Sequence, residues 1–529
     1  MALVWRGESA DGRRGRASVS FAPTSGHGDT HMALDARVHP DTRRWLTTPD
    51  KHLWYDGRPV AAESAQPIAV LDPATETVLG SVPAASAGDV GRAVHSARVA
   101  FDRGGWTRMT ASERERRLLR LADLLESHAE ELMHLVVLEN GKLLSAAQRE
   151  VEGCIRFTRY AAGWATKIAG HTLDVSAESP VASFFAYTRR EPVGVVAGII
   201  PWNVPLSMAV WKSVPALACG CTVVLKPAPE TPFSALRLAE LASEADIPPG
   251  VLNVVTGGSD AGAVLVAHGG VDKIAFTGST AVGREIGAAA MRQLKRVSLE
   301  LGGKSPAVVF ADADMAATAR AVAQGIFYNQ GQICAAGSRL YVQRSAFDDL
   351  TTRVAAIARA MQVGSGFEPS SELGPLVSAQ QRARVHDYVA GGRAQGARAL
   401  AGGGAPERAG FFFEPTVLVD VRPAMAVVQE EIFGPVLVAQ PFDTEDEVIE
   451  QVNGTPYGLS ASLYSENLSR VHRLIPRIRA GNVFVNSPAR SDPNLPMGGV
   501  KASGVGREHG ASMIELYTEL KSVVIGYST

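Results

Sequence analysis

The chain has 529 residues, of which 46% are hydrophobic and 20% charged, which is typical of a folded globular protein and excludes a fibrous or disordered chain. Its 52 basic and 54 acidic residues nearly balance, so no overall positive field favours nucleic acid as a partner. The four cysteines, at 154, 219, 221 and 334, lack paired CxxC spacing. This pattern argues against a disulfide framework and against a metal site, and favours a reducing, cytoplasmic compartment.

The first 31 residues mix several arginines with acidic residues and contain no apolar stretch of the kind that a secretory signal requires. A transit peptide is one interpretation. A disordered extension, or an upstream start with Met32 as the true first residue, fits the mixed charge better. We therefore expect residues 1–45 to be a disordered extension.

A long apolar span from Val193 to Leu225 contains a single charge, Lys212, and is the stretch that most resembles a membrane helix. Three prolines and Asn203 interrupt it. The pattern instead predicts a strand over Val193–Ile200, a sharp turn, a helix and a second strand, both strands being buried on two faces as in a parallel α/β core. No membrane association is expected.

From this point the predicted elements alternate between strand and helix. After the strand Thr222–Lys226, Thr231 and Pro232 are expected to open a helix, with Thr231 as its N-cap. The elements predicted next are strand Val251–Val255, strand Lys273–Phe276, helix Gly283–Leu294 and strand Arg296–Leu301. A later block has strands Val436–Phe442, Ser460–Tyr464 and Asn482–Asn486, with one helix opened by Asp443 and another over Leu468–Ile478. The fold class predicted is α/β, with two doubly wound, mostly parallel sheets.

Two segments belong to neither block. Thr172–Glu191 alternates like a two-stranded hairpin, and Leu516–Ile525 is predicted to be one strand. A lone hairpin is only marginally stable in water and needs a partner sheet. We expect both segments to be arms that pair across subunits, with coverage of an edge of their own domain as the alternative.

Three segments carry residue types suited to catalysis. Cys334 follows the turn Asn-Gln-Gly-Gln-Ile and precedes small residues, which suggests an accessible thiol, although a free cysteine is often a buried hydrophobe. Glu300 ends an apolar strand, a setting that would raise its pKa and make it a usable general base, with an ordinary salt-bridged glutamate as the alternative. Asn203, at the carboxyl end of a buried strand, could hold an oxyanion or could cap the following helix.

A fourth segment, Phe276–Gly283, joins a strand to a helix through a glycine turn and so forms an anion site without matching GxGxxG or a P-loop. His128 and His134 are six residues apart and would lie on different helix faces. No metal is therefore predicted.

Together these segments resemble signatures of the NAD(P)-dependent aldehyde dehydrogenase superfamily. Five of them occur in that family's order: PWNVP, FTGSTAVG, LELGGKSP, GQIC and EEIFGP. MGGVKASGVGRE, from Met497 to Glu508, adds a sixth. The resemblance extends from about Leu53 to Ser528.

The resemblance implies a covalent mechanism. Cys334 would attack the aldehyde carbonyl to give a thiohemiacetal, with the oxyanion held by the Asn203 amide and the Cys334 backbone N–H. After hydride transfer, Glu300 would activate the water that hydrolyses the thioester to a carboxylic acid, as in hydrolytic members and unlike the branches that acylate coenzyme A. Glu508 matches a second carboxylate that relays protons, with a structural pair to Arg507 as the alternative.

The resemblance also implies a dinucleotide site. Lys226 matches a contact to the adenosine ribose, Ser279 a contact to the pyrophosphate, and Glu431 with Phe433 a clamp on the nicotinamide ribose. The remaining residues expected around the cofactor are Trp202, Ile200, Gly278, Gly283 and Leu301. Many NAD-preferring members have a glutamate three residues after the lysine, where this chain has Pro229, so we predict NAD with NADP as the alternative.

For the substrate, the resemblance implies a mainly apolar funnel suited to an aliphatic or aromatic aldehyde. Its expected lining comprises Val204, Met208, Trp211, Ile333, Ala335 and the loop from Ser487 to Leu495. In that loop Arg490 could hold an acidic semialdehyde or could form a solvated ion pair with Asp492.

The expected domains are a cofactor domain over 46–170 and 193–302, a catalytic domain over 303–509, and an oligomerisation arm over 171–192 and 510–529. The arm predicts a homodimer or homotetramer. Two other functions use the same fold: a cofactor-independent esterase or thioesterase with the same three residues, and a catalytically silent binding protein.

Overall fold

The structure is a computed structural model that describes residues 35–48, 51–63, 66–176 and 183–528. The predictions for the first 31 residues lie outside these segments. The strands, numbered in chain order, are β1 Leu53–Tyr55, β2 Arg58–Val60, β3 Pro67–Leu71, β4 Val78–Pro83, β5 Thr172–Leu173, β6 Ser183–Pro192, β7 Val195–Ile199, β8 Thr222–Lys226, β9 Leu252–Val254, β10 Lys273–Thr277, β11 Arg296–Glu300, β12 Pro306–Val309, β13 Arg339–Gln343, β14 Arg398–Ala401, β15 Thr416–Val419, β16 Val436–Phe442, β17 Ser460–Tyr464, β18 Asn482–Val485, β19 Gly504–Val505 and β20 Thr518–Tyr527.

The helices connect these strands and lie against the sheets. They are α1 Pro40–Thr47, α2 Ala87–Asp102, α3 Ala111–Ser127, α4 Ala129–Asn140, α5 Leu144–Ala162, α6 Pro205–Ala218, α7 Phe233–Glu244, α8 Ser259–Ala267, α9 Thr280–Met291, α10 Met315–Phe327, α11 Phe347–Ala360, α12 Ala379–Ala394, α13 Ala426–Gln429, α14 Glu445–Asn453, α15 Leu468–Leu474 and α16 Ser512–Tyr517. Within the described segments, no helix is long and apolar enough to cross a membrane.

The first large sheet has eight strands in the order β19-β11-β10-β7-β8-β9-β1-β2. Its five central strands, from β11 to β9, pair in parallel, and helices connect them. Every residue of β7 and β8 is buried, because helices cover both faces of the sheet. The order reverses between β7 and β10, which is where an open α/β sheet leaves a crevice for a ligand.

The second large sheet has seven strands in the order β14-β15-β16-β13-β12-β17-β18, and only β14 runs antiparallel to its neighbour. The predicted fold class, with two doubly wound and mostly parallel sheets, is therefore confirmed. The edge strand β19 comes from the segment expected to be catalytic, yet it pairs with β11 of the first sheet. The last part of that segment is thus tied to the strand that carries Glu300.

The predicted hairpin and C-terminal strand form a third sheet, in the order β20-β6-β5. β20 pairs with β6 over their whole lengths in this chain, while residues 177–182, between β5 and β6, lie outside the described segments. Large apolar side chains of this sheet are exposed, among them Phe185, Leu520 and Val524. Pairing across subunits therefore stays a prediction.

Several predicted boundaries were wrong for physical reasons. Residues 40–45, assigned to a disordered extension, lie in α1, which packs on α4 and contains the buried Leu46 and Thr42. Thr231 does not cap α7, because its hydroxyl is buried without a hydrogen-bond partner. Instead the carboxylate of Glu139, distant in sequence, accepts from the Phe233 and Ser234 N–H groups at 2.8 and 3.1 Å.

Two further helix starts also differ from the prediction. α9 begins at Thr280, with Ser279 as N-cap, rather than at Gly283. α14 is capped by the Thr444 hydroxyl, which accepts from the Glu447 N–H at 3.2 Å, and not by Asp443. In both cases a nearby hydroxyl competes for the first-turn N–H groups and decides the start.

Candidate active site

The carboxyl ends of four neighbouring parallel strands carry the predicted site residues. β11 ends at Glu300, β10 at Thr277 and β8 at Lys226, and the chain leaves β7 through Trp202 and Asn203. Because these strands are adjacent and parallel, their carboxyl ends meet at one edge of the sheet. The topology thus brings together residues that are up to about a hundred positions apart in sequence.

The Asn203 side chain faces the cysteine loop. Asn203 is 5% exposed, and its Nδ2 donates to the Gln332 carbonyl at 2.9 Å. Its own carbonyl accepts from Lys142 Nζ and Asn329 Nδ2, each at 3.0 Å. The N-cap of α6 is Val204, with no side-chain cap, so the capping alternative for Asn203 was wrong.

The cysteine loop makes a sharp turn through three left-handed residues. After α10 ends at Phe327, Asn329, Gln330 and Gly331 have φ values of 51°, 58° and 69°. A side chain at Gly331 would collide with the Gly434 carbonyl, so the close approach of the two loops requires glycine there. Backbone strain of this kind, about 1–3 kcal/mol per residue, persists only where the surroundings enforce it and is concentrated at functional sites.

Two glycines bring Glu300, Cys334 and Glu431 into one cluster. A Cβ at Gly303 would overlap the Cys334 carbonyl, and one at Gly302 would overlap the Glu431 carboxylate. Cys334 itself is partly exposed, as its small neighbours suggested. Burial, with the nearby carboxylates of Glu431 and Glu300, raises the pKa of the Cys334 thiol to about 12. The thiol is therefore protonated at rest, and its attack on a substrate requires removal of that proton.

Glu300 is set up to hold a proton. It is 8% exposed, and among the described residues its Oε1 has no hydrogen-bond partner, so the salt-bridge alternative was wrong. Burial raises its pKa well above the usual value, and the nearby Glu508 raises it further. Glu508 forms a buried ion pair with Lys212, not with Arg507, whose guanidinium donates to the Gly499 and Gly506 carbonyls at 2.8 and 2.7 Å.

A second buried ion pair, missed by the sequence analysis, supports the Asn203 turn. Lys142 and Glu150 pair with side chains only 1% and 3% exposed. Lys142 also donates to the Asn203 carbonyl, and Glu150 Oε1 accepts from the Ser207 N–H at 3.0 Å in the first turn of α6. The pair therefore fixes both sides of the segment that presents the Asn203 amide.

Replacing Lys142 by methionine should lower the free energy of unfolding by about 3–5 kcal/mol, since Glu150 would be left buried and unpaired. Urea denaturation monitored by circular dichroism measures this loss. The double variant K142M/E150Q keeps an acceptor for the Ser207 N–H and removes the charge, so it should recover most of the stability. Equal losses in the single and double variants would show that the unpaired charge is not the cause.

The edge of the sheet beside Glu300 has the donors that a dinucleotide needs. The first turn of α9 follows the Gly278–Ser279 turn directly, and the buried Thr277 Oγ1 has no hydrogen-bond partner among the described residues. A Cβ at Gly283 would overlap the Leu301 side chain, so glycine allows α9 to pack closely against the strand. A helix N-terminus of this kind binds the negative charge of a pyrophosphate.

Lys226 lies at the same edge and is 6% exposed. Its Nζ donates to the Pro227 carbonyl at 3.0 Å, and burial lowers its pKa to about 8. Glu230, which the sequence analysis did not single out, is the carboxylate that opposes this shift, and burial raises its own pKa. A carboxylate thus lies near the lysine although Pro229 occupies the expected position.

Glu431 and Phe433, which lie just before β16 of the second sheet, complete the candidate cofactor site. Glu431 Oε1 accepts from the Gly303 N–H at 2.9 Å, and burial raises its pKa to about 7. Phe433 has a left-handed φ of 61° and packs edge-on against Trp202, with ring centroids 5.2 Å apart. Ile200 is held at the end of β7 by its N–H bond to the Lys226 carbonyl at 3.1 Å. The chemistry of this edge suits a dinucleotide. The Glu431 carboxylate can accept from ribose hydroxyls, and the N-terminus of α9 and Lys226 can bind phosphate and hydroxyl groups.

On the other side of Asn203, α6 presents an apolar face. Val204, Met208 and Trp211 are spaced four and three residues apart and so lie on one face of the helix that begins beside Asn203. Ile333 and Ala335 flank Cys334 in sequence. Cys334 thus has an apolar neighbour on each side in the sequence.

The loop after β18 is mostly exposed. Ser487 Oγ accepts from Arg490 Nε at 3.0 Å, and Asp492 Oδ1 accepts from the Asn494 N–H at 2.9 Å. The expected ion pair between Arg490 and Asp492 is therefore not formed in this part of the chain, because each side chain bonds a nearer partner.

Comparison with known proteins gives consistent results. A sequence model of the Aldehyde dehydrogenase family matches residues 60–523. A phenylacetaldehyde dehydrogenase of Pseudomonas fluorescens is 51% identical over 89% of this chain and 95% of its own, and human retinal dehydrogenase 2 is 44% identical over 88% and 89%. The structure of an NAD+ complex of a Bacillus cereus aldehyde dehydrogenase superposes with a TM-score of 0.90 at 42% identity, covering 93% of this chain and 99% of that one.

Proposed function

Since the chain belongs to the aldehyde dehydrogenase family, as its motifs predicted, we propose that it oxidises an aldehyde to the carboxylic acid through a thioester on Cys334. Use of NAD(P) follows from this membership and confirms the predicted cofactor class. The observation that carries the proposal is the convergence of a partly exposed thiol, an amide donor and an unpaired buried carboxyl on one sheet edge.

In the first half of the reaction the Cys334 thiol gives up its proton to water, and its sulfur bonds to the aldehyde carbon. The carbonyl electron pair moves to oxygen, and the Asn203 Nδ2 and the Cys334 N–H stabilise this oxyanion by donating to it. Asn203 can do so because its Nδ2 already faces the cysteine loop, where it donates to the Gln332 carbonyl. When bound, the oxidised nicotinamide supplies the acceptor for the hydride that leaves the same carbon.

In the second half Glu300 removes a proton from water, whose oxygen attacks the thioester carbon. The carbon–sulfur bond breaks, the carboxylic acid leaves and the Cys334 sulfur is released as a thiolate, while the proton from water stays on Glu300. The raised pKa of Glu300 makes its carboxylate a stronger base than that of an exposed glutamate, which suits a general base. The Glu508–Lys212 pair behind it gives the proton a route away from the site. These features support hydrolysis rather than acylation of coenzyme A.

For the cofactor, we assign the pyrophosphate to Gly278, Ser279 and the start of α9, packed through Gly283 on Leu301. Lys226 takes the adenosine ribose, while Glu431 and Phe433, with Trp202 and Ile200 nearby, take the nicotinamide end. NAD is the preferred form, because a second carboxylate, that of Glu230, lies beside Lys226 and would repel a 2′-phosphate.

Replacing Glu230 by glutamine should raise the ratio of kcat/KM for NADP to that for NAD by about tenfold, since like-charge repulsion of the 2′-phosphate is removed. Initial rates with each cofactor at a saturating aldehyde concentration measure this ratio. Glu466→Gln, at an exposed position, is the matched control. An unchanged ratio would mean that Glu230 does not face the ribose.

For the substrate, we propose an aldehyde with an aromatic ring on a short chain. The apolar face of Val204, Met208 and Trp211, with Ile333, Ala335 and the loop starting at Ser487, supports a planar apolar group. The relative with 51% identity is described as a phenylacetaldehyde dehydrogenase, which favours the same class.

We also propose that segments 46–170 and 193–302 bind the cofactor, that 303–509 carry the catalytic cysteine and that 171–192 and 510–529 pair subunits in a homodimer or homotetramer. Exposed apolar side chains on β6 and β20 support the last assignment. The four free cysteines support a reducing compartment such as the cytoplasm.

The experiment that tests the function is incubation of the chain with NAD and phenylacetaldehyde while the absorbance of the reduced nicotinamide is followed. A steady rise with stoichiometric phenylacetic acid is the expected result. Hydrolysis of an ester without any reduced nicotinamide from a panel of aldehydes would instead favour the esterase alternative.

A further inference from the structure

His509 is a buried histidine that the proposed reaction does not use. It follows Glu508 in sequence and is 2% exposed. Its ring packs edge-on against Trp211, with centroids 4.3 Å apart, and lies tilted against Phe157, with centroids 4.8 Å apart. Phe157 and Trp211 are themselves 6.0 Å apart, so the three rings form one aromatic cluster behind the apolar face of α6.

The other side of the His509 ring contacts the loop after β18. Its Nδ1 lies 3.3 Å from the Asp492 carbonyl, and since a carbonyl only accepts, Nδ1 is the protonated nitrogen. Nε2 is then an acceptor, and it has no hydrogen-bond partner among the described residues. Burial lowers the pKa of His509 and keeps the ring in this neutral form.

The loop from Ser487 to Leu495 makes few other hydrogen bonds to the core. Its residues from 490 to 495 are mostly exposed. Besides the His509 contact, the Gly510 N–H donates to the Pro493 carbonyl at 2.8 Å, and the Tyr160 hydroxyl donates to Asn494 Oδ1 at 3.0 Å. His509 is therefore a side chain that links the loop directly to the aromatic cluster.

The backbone at His509 has a strained conformation, which the packing around its ring maintains. Its φ of 63° lies in the left-handed region, which is uncommon for residues other than glycine, although histidine, asparagine and aspartate are enriched there. Such a conformation costs about 1–3 kcal/mol and is kept where packing enforces it. Here the packing is the enclosure of the ring between Phe157, Trp211 and the loop.

We propose that His509 is a specificity-determining positioning residue, which fixes Trp211 and the Ser487–Leu495 loop as two rigid walls that select a planar aromatic aldehyde. The inference rests on the proposed function, because it requires that the substrate pass between α6 and this loop. His509 acts through the two walls and not on the reacting carbon.

The test uses three variants that separate the ring packing of His509 from its hydrogen bond to the Asp492 carbonyl. H509A removes both the ring and the donor, H509F keeps a ring without the donor, and H509N keeps a donor and tolerates the left-handed backbone. We expect H509A to lower the ratio of kcat/KM for phenylacetaldehyde to that for propanal by about tenfold, the size of effect that one apolar pocket contact gives. The change should lie mainly in the KM for phenylacetaldehyde, and H509F and H509N should each recover part of the ratio.

The matched control is H386A, at an exposed histidine on α12, and melting temperatures are measured for all variants. An unchanged ratio in H509A, or an equal loss for both aldehydes, would overturn the inference. If H509A does not fold, wild-type ratios in both H509F and H509N would overturn it. Failure of the unaltered chain to oxidise any aldehyde would instead contradict the proposed function.

Discussion

Replacing Cys334 by alanine should abolish aldehyde oxidation, with kcat lowered by at least about 10⁴-fold, because removal of a covalent nucleophile leaves only binding and the oxyanion donor. The side chain is small and partly exposed, so the variant should fold and bind NAD as before. Measurement of kcat with phenylacetaldehyde, together with NAD binding by calorimetry, separates the loss of chemistry from loss of structure.

The matched control is Cys219→Ala, which removes a buried thiol outside the site. Cys219 is only 4% exposed, so an aldehyde cannot reach its sulfur. We expect this control to retain its kcat within about twofold. A Cys334→Ala variant with substantial activity would contradict the covalent mechanism, whatever the control does.

Replacing Glu300 by glutamine should lower steady-state kcat by about 10²–10⁴-fold, the range for loss of a general base, and should spare the first turnover. The thioester forms before water reacts, so its formation does not require Glu300 as a general base. Reduced nicotinamide should therefore appear in a burst of about one equivalent per Cys334 and then stop. Rapid-mixing absorbance measures the burst and the slow phase separately.

The same variant defines the expected pH dependence. A general base acts as the carboxylate, and burial with the nearby Glu508 raises the pKa of Glu300. In the unaltered enzyme, hydrolysis of the thioester should therefore slow as the pH falls below this raised pKa and reach a plateau above it. E300Q should lose that dependence, while the control Glu466→Gln should keep it. A native-like slow phase in E300Q would contradict the assigned role.

The core strands could be predicted because each needs only local information. β7 has no polar residue, and in β8 and β10 the polar residues stand only at the strand ends, so each strand has an apolar centre that suits burial on both faces. β12 and β13 were not predicted. β12 has four residues and starts at Pro306, which weakens the strand signal.

The candidate site residues could be predicted from sequence because motif order and strand ends indicate their positions, and their catalytic roles stay a proposal. The side chains that pair with them or support them could not be predicted from sequence. The Lys142–Glu150 and Lys212–Glu508 pairs, and the Glu139 cap on α7, join groups whose pairing depends on the tertiary packing of helices and loops. Periodicity predicts the face of a helix on which a charge lies, but it does not predict which part of the chain packs against that face. The same holds for His509, whose role depends on two rings and a loop from separate parts of the chain.

The most direct test of the account is the intact mass of the E300Q variant after incubation with NAD and phenylacetaldehyde. The account predicts an acyl adduct equal to the mass of the aldehyde less two hydrogens, located on Cys334 by peptide mapping and released by hydroxylamine. No adduct at Cys334 despite formation of reduced nicotinamide, or an adduct on another residue, would contradict the thioester mechanism.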